Sequence, residues 1–397
     1  MTQRSPEVPG AHLDEAVLRD RLIDTAVRLI EVPSPTGDAG AVATCLAEIL
    51  RADGFEVERP AGGHPAAPAV TVRLDSRRPG RTLQFDGHLD TVHLRFVPPR
   101  VADGLITGSG AADMKGGVAA AVEALRALRD VDALSAGAVF FVAHDLHEAP
   151  WGLGQQLNSM ISAGLHGNAV LIPEPKHDEL PIAGRGAATW RVTFRRQGAA
   201  VHEVMRPRDE PSVISAGAKF VAALETLGEE LALKRHEIAG SETVFVGQVH
   251  SGEIYNQYPQ ECWLEGTRRW LPESEERSVE RAFRDLVATT AAGSGTSAEV
   301  AWSTVRGAFA LDIHDPLVTC FQAAYAAHAG RPLATGAKPF VDDGNSFWAL
   351  AGIPAITHGP KAGGQHTVNE WVSIDDLVRV AQLYARIAVA YCQGNSA

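Results

Sequence analysis

The sequence predicts an α/β protein in which a mixed-sheet domain, sandwiched by helices, is interrupted by an inserted α+β domain. Three observations predict it. Short apolar runs alternate with helical patterns over the first part of the chain, the texture changes beyond Arg185, and the first texture returns after about residue 303. The expected domains are therefore 1–185 and 304–397, two parts of one body, with 186–303 inserted between them.

Taken in order, the elements justify this division. From Leu13 to Val32 apolar residues recur at three- and four-residue steps (Leu18, Leu22, Ala26, Leu29), which reads as an amphipathic helix stopped at Pro33-Ser34-Pro35. Runs at Ala69–Val72, Thr82–Phe85, Ala138–Ala143 and Ala169–Ile172 have the length of buried strands, and Lys115–Leu128 reads as a helix among them. Within the insert, Ala188–Arg195, Thr243–Val249 and Cys262–Arg268 alternate like half-exposed strands, and Pro211–Leu227 has helical spacing. A helix over Pro316–Ala329, a strand over Ala355–Thr357 and a closing helix over Ile374–Tyr391 complete the first body. No repeat or low-complexity tract is present.

Composition narrows the class of function. A chain of 397 residues with 45% hydrophobic and 21% charged residues suits a folded two-domain enzyme. Its 48 acidic against 36 basic residues, a net charge of -12, disfavour nucleic acid and anionic membranes as partners. Cys45, Cys262, Cys320 and Cys392 have no paired spacing, which fits a reducing compartment better than a disulfide framework. The N-terminal segment lacks the apolar core of a signal peptide, and no run approaches the roughly 20 residues that span a bilayer, so the expected location is cytoplasmic.

Four blocks carry chemistry. In Phe85-Asp86-Gly87-His88-Leu89-Asp90 a strand ends at a histidine, with an aspartate two residues on that is close enough to fix the ring's tautomer. In Gly108-Ser109-Gly110-Ala111-Ala112-Asp113-Met114-Lys115-Gly116-Gly117 the glycines let the backbone set Asp113 against a cation at the head of a helix. A phosphate cradle is the competing reading, but the dinucleotide and P-loop spacings are absent and the aspartate would repel phosphate. Glu148 and Glu174 follow strands, the latter in Pro173-Glu174-Pro175, and His366 sits in Gly363-Gly364-Gln365-His366-Thr367-Val368-Asn369-Glu370. Two histidines and three carboxylates at such positions match the mixed nitrogen and oxygen ligation of a two-metal hydrolytic site, although each alone could be an ordinary surface polar group.

These blocks, GHLDTV, GSGAADMKGG, PEP and GGQHTVNEWVSIDDL, in this order and spacing, resemble the zinc aminoacylase and acetylornithine deacetylase family, which includes succinyl-diaminopimelate desuccinylase and carboxypeptidase G. The resemblance extends from Ser34-Pro35-Thr36-Gly37 to Gly359-Pro360 and beyond, nearly the whole chain. It implies that Asp113 bridges two divalent ions, zinc or else cobalt or manganese, one also held by His88 and Glu174 and the other by Glu148 and His366, with Asp90 orienting His88. It also implies that the insert is a lid through which two copies form a homodimer. Gly198-Ala199-Ala200-Val201-His202 resembles the lid histidine motif, whose histidine would stabilise the oxyanion. Asn256 and Arg269 resemble lid positions near the substrate carboxylate.

One departure from the family stands out. Where the family has two successive glutamates, a general base and then a ligand, this chain reads His144-Asp145-Leu146-His147-Glu148. With Glu148 as the ligand, His147 occupies the base position, and an imidazole with an ordinary pKa near 6.5 is able to do that work. Asp145 is a second candidate. An ungapped alignment would instead make His147 a ligand; the first alignment is preferred because glycine still follows Glu148 in its usual place. His93 and His358 read as local structure, and Asp342-Asp343-Gly344-Asn345, though it resembles a family loop, has the composition of a tight turn and is not assigned to the site. The expected activity is hydrolysis of an amide bond, by metal-activated water, in a small carboxylate-bearing substrate. An N-acyl amino acid deacylase leads, with a dipeptidase or carboxypeptidase as the alternative. A catalytically silent binding homologue is the third reading, against which the retained ligand set argues.

Overall fold

Four apolar runs, too short for helices and followed by turn residues, pair side by side as the parallel centre of a mixed sheet. The computed structural model describes residues 11–394, so Met1–Gly10 of the N-terminal segment discussed above lies outside the described residues. The sheet order is Val57–Glu58, Val70–Asp75, Ala138–His144, Thr82–His88, Ala169–Ile172 and Ala355–Thr357. The first two strands run antiparallel to their neighbours and the other four run parallel. Every residue of Thr82–His88 is buried, as a strand covered on both faces requires. Parallel pairing has one functional consequence: the strand ends collect on one edge, with His88 opposite His144 in register and Pro173-Glu174 directly after Ile172.

The helix Gly116–Asp130 is buried along most of its length, including Glu123 and Arg126. Those two charges are neutralised by each other, by Arg21 and by Asp53. Gly117 lies on the side of this helix that meets Pro173, where a Cβ would fall 1.9 Å from the Pro173 carbonyl oxygen. Only glycine lets the helix approach the strand end that carries Glu174. The opening helix expected over Leu13–Val32 is instead two helices, Ala11–Glu15 and Arg19–Ile30. Leu18 between them is extended, and its N–H donates to Glu123 Oε1 at 2.7 Å, a tertiary bond that outweighs one more helical turn.

The chain forms two compact units. One runs up to Ile182 and resumes over Leu311–Ala337 and from Asp342 onward; the other comprises Ala183–Ala310 and Lys338–Val341. The second unit holds an antiparallel sheet in the order Thr243–Ser251, Glu261–Trp270, Gly186–Arg195, Ser297–Arg306. Along Gly186–Arg195, Trp190, Val192 and Phe194 point into the core while Thr189, Arg191 and Arg195 are exposed. The inward rings meet Phe220 of the helix Val213–Leu233 and Phe283 of Glu276–Ala292. The alternation read in the sequence is thus a sheet with helices on one face. The strand Ser297–Arg306 carries this unit past residue 303, because its pairing with Gly186–Arg195 continues to Arg306.

The four cysteines are free, and no helix among the described residues is long and apolar enough to cross a membrane. His358, at the end of the last parallel strand, is fully buried among Phe321, Tyr325 and Tyr384, and neither ring nitrogen has a hydrogen-bond partner. Burial, assisted by the charge of Arg379, brings its pKa down to about 3. The unfolded chain binds a proton near the ordinary 6.5 and the folded chain does not, so stability falls as the pH drops from 6.5 toward 3. This one group should make the protein about 2 kcal/mol less stable near pH 5 than near pH 8. Urea unfolding of wild type and His358→Leu at both pH values checks this: the substitution should remove that share of the acid loss, and identical losses would refute it.

Candidate metal centre

His88 closes its strand wholly buried, and its ring is turned by its Nδ1, which lies 2.9 Å from the main-chain carbonyl of Asp90. That leaves Nε2 facing Asp113 Oδ1 at 3.1 Å and Glu174 Oε1 at 3.3 Å. The Asp90 carboxylate, which the sequence suggested as the orienting group, stands farther from Nδ1, at 3.6 Å. Its main work is on the neighbouring loop, where it accepts the N–H groups of His147 and Glu148 at 3.1 and 3.0 Å. Burial would raise this carboxyl, but the nearby His88 and the loop that carries His147 and Glu148 hold it at about 2.

Asp113 is presented by the glycine-rich loop, in which Gly110 adopts φ 81°. The N–H groups of Gly110, Ala112 and Asp113 all donate to the Glu370 carboxylate at 3.1 to 3.2 Å, which sets the loop and with it the aspartate. The two oxygens of Asp113 then diverge. Oδ1 faces His88, while Oδ2 lies 3.3 Å from His366 Nε2. His366 Nε2 is also 3.2 Å from Glu148 Oε2, so the second group is Asp113, Glu148 and His366. His366 has φ 59°, a left-handed backbone that a histidine adopts at some cost and that turns its ring toward the carboxylates. All five residues expected as ligands are thereby brought together, with Asp113 shared.

The donor set fits divalent cations. Three carboxylates this close need positive charge, and the imidazoles answer by holding protons. Hydrogen bonds to Asp113 and Glu148 raise His366 to about 10, and His88 is raised despite its burial by Asp113, Asp90 and Glu174. Burial and the charge of Asp113 push Glu174 up to about 7. Asp113 itself is depressed in spite of burial by its two histidines. Cations on these oxygens would supply the same charge and leave both imidazoles neutral, as ligands must be.

His147 stacks on His88, with ring centroids 3.9 Å apart and planes 6° from parallel. Its Nδ1–H donates to Asp343 Oδ2 at 2.8 Å, and its Nε2 lies 3.9 Å from Glu174 Oε1. An imidazole lone pair lies in its ring plane, and a zinc-type ion sits about 2.1 Å from the nitrogen. Two parallel stacked rings therefore do not converge on one ion. The geometry favours Glu148 over His147 as ligand and leaves His147 Nε2 beside the cluster. Asp145, the second candidate for proton transfer, is spent on structure. Its carboxylate is 1% exposed and accepts from the N–H groups of Gly37, Ala39 and Leu146, with His64 Nε2 at 3.2 Å.

Three residues around this centre were not singled out from the sequence. Glu370 lies inside the GGQHTVNE block, whose histidine alone has an evident chemical role, and Asp343 lies in a stretch with the composition of a tight turn. His144, between Asp86 and Asp343, is the third. In the other unit, His202 Nε2 and the Asn256 side-chain amide lie 3.0 Å apart. Arg269 has a buried Nη1 with no hydrogen-bond partner, and burial, with Arg185 nearby, lowers its pKa.

Comparison with known proteins bears on this arrangement. The model of peptidase family M20/M25/M40 matches residues 85–390. The chain belongs to that family. This M20 chain is 27% identical to succinyl-diaminopimelate desuccinylase of Methylobacterium nodulans over 93% of its own length and 96% of that protein's. Its fold is similar to that of a tripeptidase from Staphylococcus aureus, with a TM-score of 0.80 and 24% identity over 95% of this chain and 99% of the other. A Bacillus subtilis protein described as a dinuclear metal binding peptidase matches with a TM-score of 0.68 and 17% identity over 94% and 98%. The M20 chain is accordingly a metal-binding hydrolase of amide bonds, and the donors on either side of Asp113, His88 with Glu174 and His366 with Glu148, fit two divalent ions.

Proposed function

We propose that this M20 hydrolase is a deacylase of N-acyl amino acids, of desuccinylase or deacetylase type, with zinc as its ions. The divergence of the two Asp113 oxygens toward His88 and His366 carries the two-ion reading, and the likeness to desuccinylases over nearly the whole chain supports an acyl amino acid as substrate. Two divalent ions held by His88, Asp113, Glu174, Glu148 and His366 would polarise the amide carbonyl and make water nucleophilic near neutral pH.

The chain's own groups do the rest. His147, its Nδ1–H engaged by Asp343, turns Nε2 toward Glu174, where it takes the proton of the attacking water and passes it to the leaving amine. His202 serves as oxyanion donor. Asn256 and Arg269 hold the substrate carboxylate, a reading supported by the buried and unpartnered Arg269 Nη1, since a guanidinium and a carboxylate form two parallel bonds. We further propose a cytoplasmic homodimer that pairs through the Ala183–Ala310 unit as a lid. The edge strand Thr243–Ser251 exposes Phe245 and Val249, apolar surface that a second copy would cover.

The test is metal content by plasma emission together with turnover of a panel of N-succinyl and N-acetyl amino acids, dipeptides and tripeptides. About two zinc ions per chain and turnover of acylated amino acids are expected. Turnover confined to free peptides would replace the deacylase reading with a peptidase. No turnover at two ions per chain would leave a silent binding homologue.

A further inference from the structure

Behind His147 lies a buried chain of polar groups that the ligand set does not use. Asp343 Oδ2 accepts from His147 Nδ1–H at 2.8 Å and stands 3.2 Å from His144 Nε2. His144 Nε2 is also 3.2 Å from Asp86 Oδ1, and Asp86 Oδ2 accepts from Gln84 Nε2 at 2.7 Å. The side chains of Asp86, His144 and Asp343 are wholly excluded from solvent. Two buried carboxylates are tolerated only with a positive partner between them. His144 is that partner: burial works against its charge, but Asp343 and Asp86 raise it to about 10.

The two adjacent aspartates of this turn do different work. Asp342 caps the helix Asp343–Ala351, its Oδ1 accepting from Gly344 N at 2.9 Å and its Oδ2 from Thr357 Oγ1 at 2.6 Å, which pins the turn to the sheet. Asp343, the first residue of that helix, is aimed inward at the two histidines. Its charge is favoured by the helix N-terminus behind it and by His144 beside it. The donor atoms of Asp86, His144 and Asp343 also lie close enough together to hold an ion. Both carboxylates lie at hydrogen-bond distance from His144 Nε2, with no solvent-exposed face, which marks a hydrogen-bond chain instead.

We propose that Asp343 is a positioning residue for His147. It fixes the Nδ1–H tautomer, so that the unprotonated Nε2 faces the Glu174 side of the metal centre, and it is itself held in place by the His144 and Asp86 pair. This rests on the reading of His147 as the proton acceptor. A carboxylate in this position selects both the tautomer and the ring orientation of the imidazole it holds. No glutamate base would need such a partner.

The full-length protein, with Asp343→Asn, Asp343→Glu, His147→Gln and the double variant Asp343→Asn/His147→Gln, tests this by metal content, kcat, KM and imidazole-nitrogen NMR of histidine-labelled protein. Asp343→Asn should keep two ions and an unchanged KM, and lose kcat by about ten- to a hundred-fold. Asp343→Glu should recover part of that loss. Added to His147→Gln, Asp343→Asn should change kcat less than about two-fold, because a residue that acts only through another has nothing left to act on. In the wild type, the histidine signal that disappears in His147→Gln should show Nδ1 protonated. Wild-type kcat in Asp343→Asn, multiplicative losses in the double variant, a third ion per chain, or an Nε2–H tautomer for His147 would each overturn the proposal. Unchanged kcat or a lost ion in His147→Gln would sink the base reading alone, and the tautomer would still decide the role of Asp343, including in variants that fold poorly.

Discussion

Asp113→Ala is expected to empty both ion positions at once and to abolish turnover. The reason is geometric, since Oδ1 is shared with His88 and Glu174 while Oδ2 is shared with His366 and Glu148. Glu174→Ala or Glu148→Ala removes a ligand from one group, but Asp113→Ala removes one from each. Plasma emission should find about two ions per chain in wild type and close to none in the variant, with kcat lower by roughly a thousand-fold or more, the scale of losing activated water and a polarised carbonyl together. Stability supplies an independent readout. Burial and the charge of Asp113 together push the Glu174 carboxyl up to about 7, so removing Asp113 relieves that repulsion in the ion-free protein while giving up the bonds from His366 and His88, two effects that oppose each other. The melting temperature in chelator should therefore change little, while the rise that added zinc gives wild type should vanish. Two ions retained in Asp113→Ala would mean that the site is assembled differently.

Much of this was legible in the sequence, and for identifiable reasons. A buried parallel strand has a strong apolar signal, and the site lies where such strands end, so pattern singles out His88 and Glu174, while their place in a ligand set is implied only by the family resemblance. The lengths of the late elements were also readable, since the Pro316–Ala329 helix opens on Asp315-Pro316 and closes on Gly330. What escaped the sequence depends on distant partners. Leu18 leaves the helix because Glu123, more than a hundred residues away, takes its N–H. Glu370 reaches three N–H groups of a loop more than two hundred and fifty residues earlier, and no local spacing announces that. Asp343 was hidden by its neighbour: the capping of Asp342 and the inward carboxylate of Asp343 give one composition, that of a turn, and only the fold separates them. Asp90 shows the same limit at shorter range. Its sequence distance from His88 suggested a carboxylate contact, whereas the backbone carbonyl is nearer and the carboxylate turns to the His147 loop.

His147→Gln is expected to keep two ions and lose about a hundred- to ten-thousand-fold in kcat, the range that a positioned general base contributes. Glutamine keeps much of the imidazole's size and its hydrogen bonding, so the loop held by Asp90 should survive, and KM should move little because the ligands are untouched. The more instructive substitution is His147→Glu, which restores the residue usual in the family. It is not expected to restore full activity in this chain. The position occupied by His147 Nδ1 lies 2.8 Å from Asp343 Oδ2, and a glutamate carboxylate there would meet a second, fully buried negative charge. Repulsion would either turn the new carboxylate away from the centre or force a proton onto the pair, and both outcomes lower the fraction of competent base. Neutralising Asp343 should then help: His147→Glu/Asp343→Asn is expected to exceed His147→Glu alone in kcat, the reverse of what Asp343→Asn does beside histidine. That change of sign would show that histidine and aspartate act here as one unit. Losses by Asp343→Asn in both backgrounds would instead assign Asp343 to the scaffold and leave His147 a base without a partner.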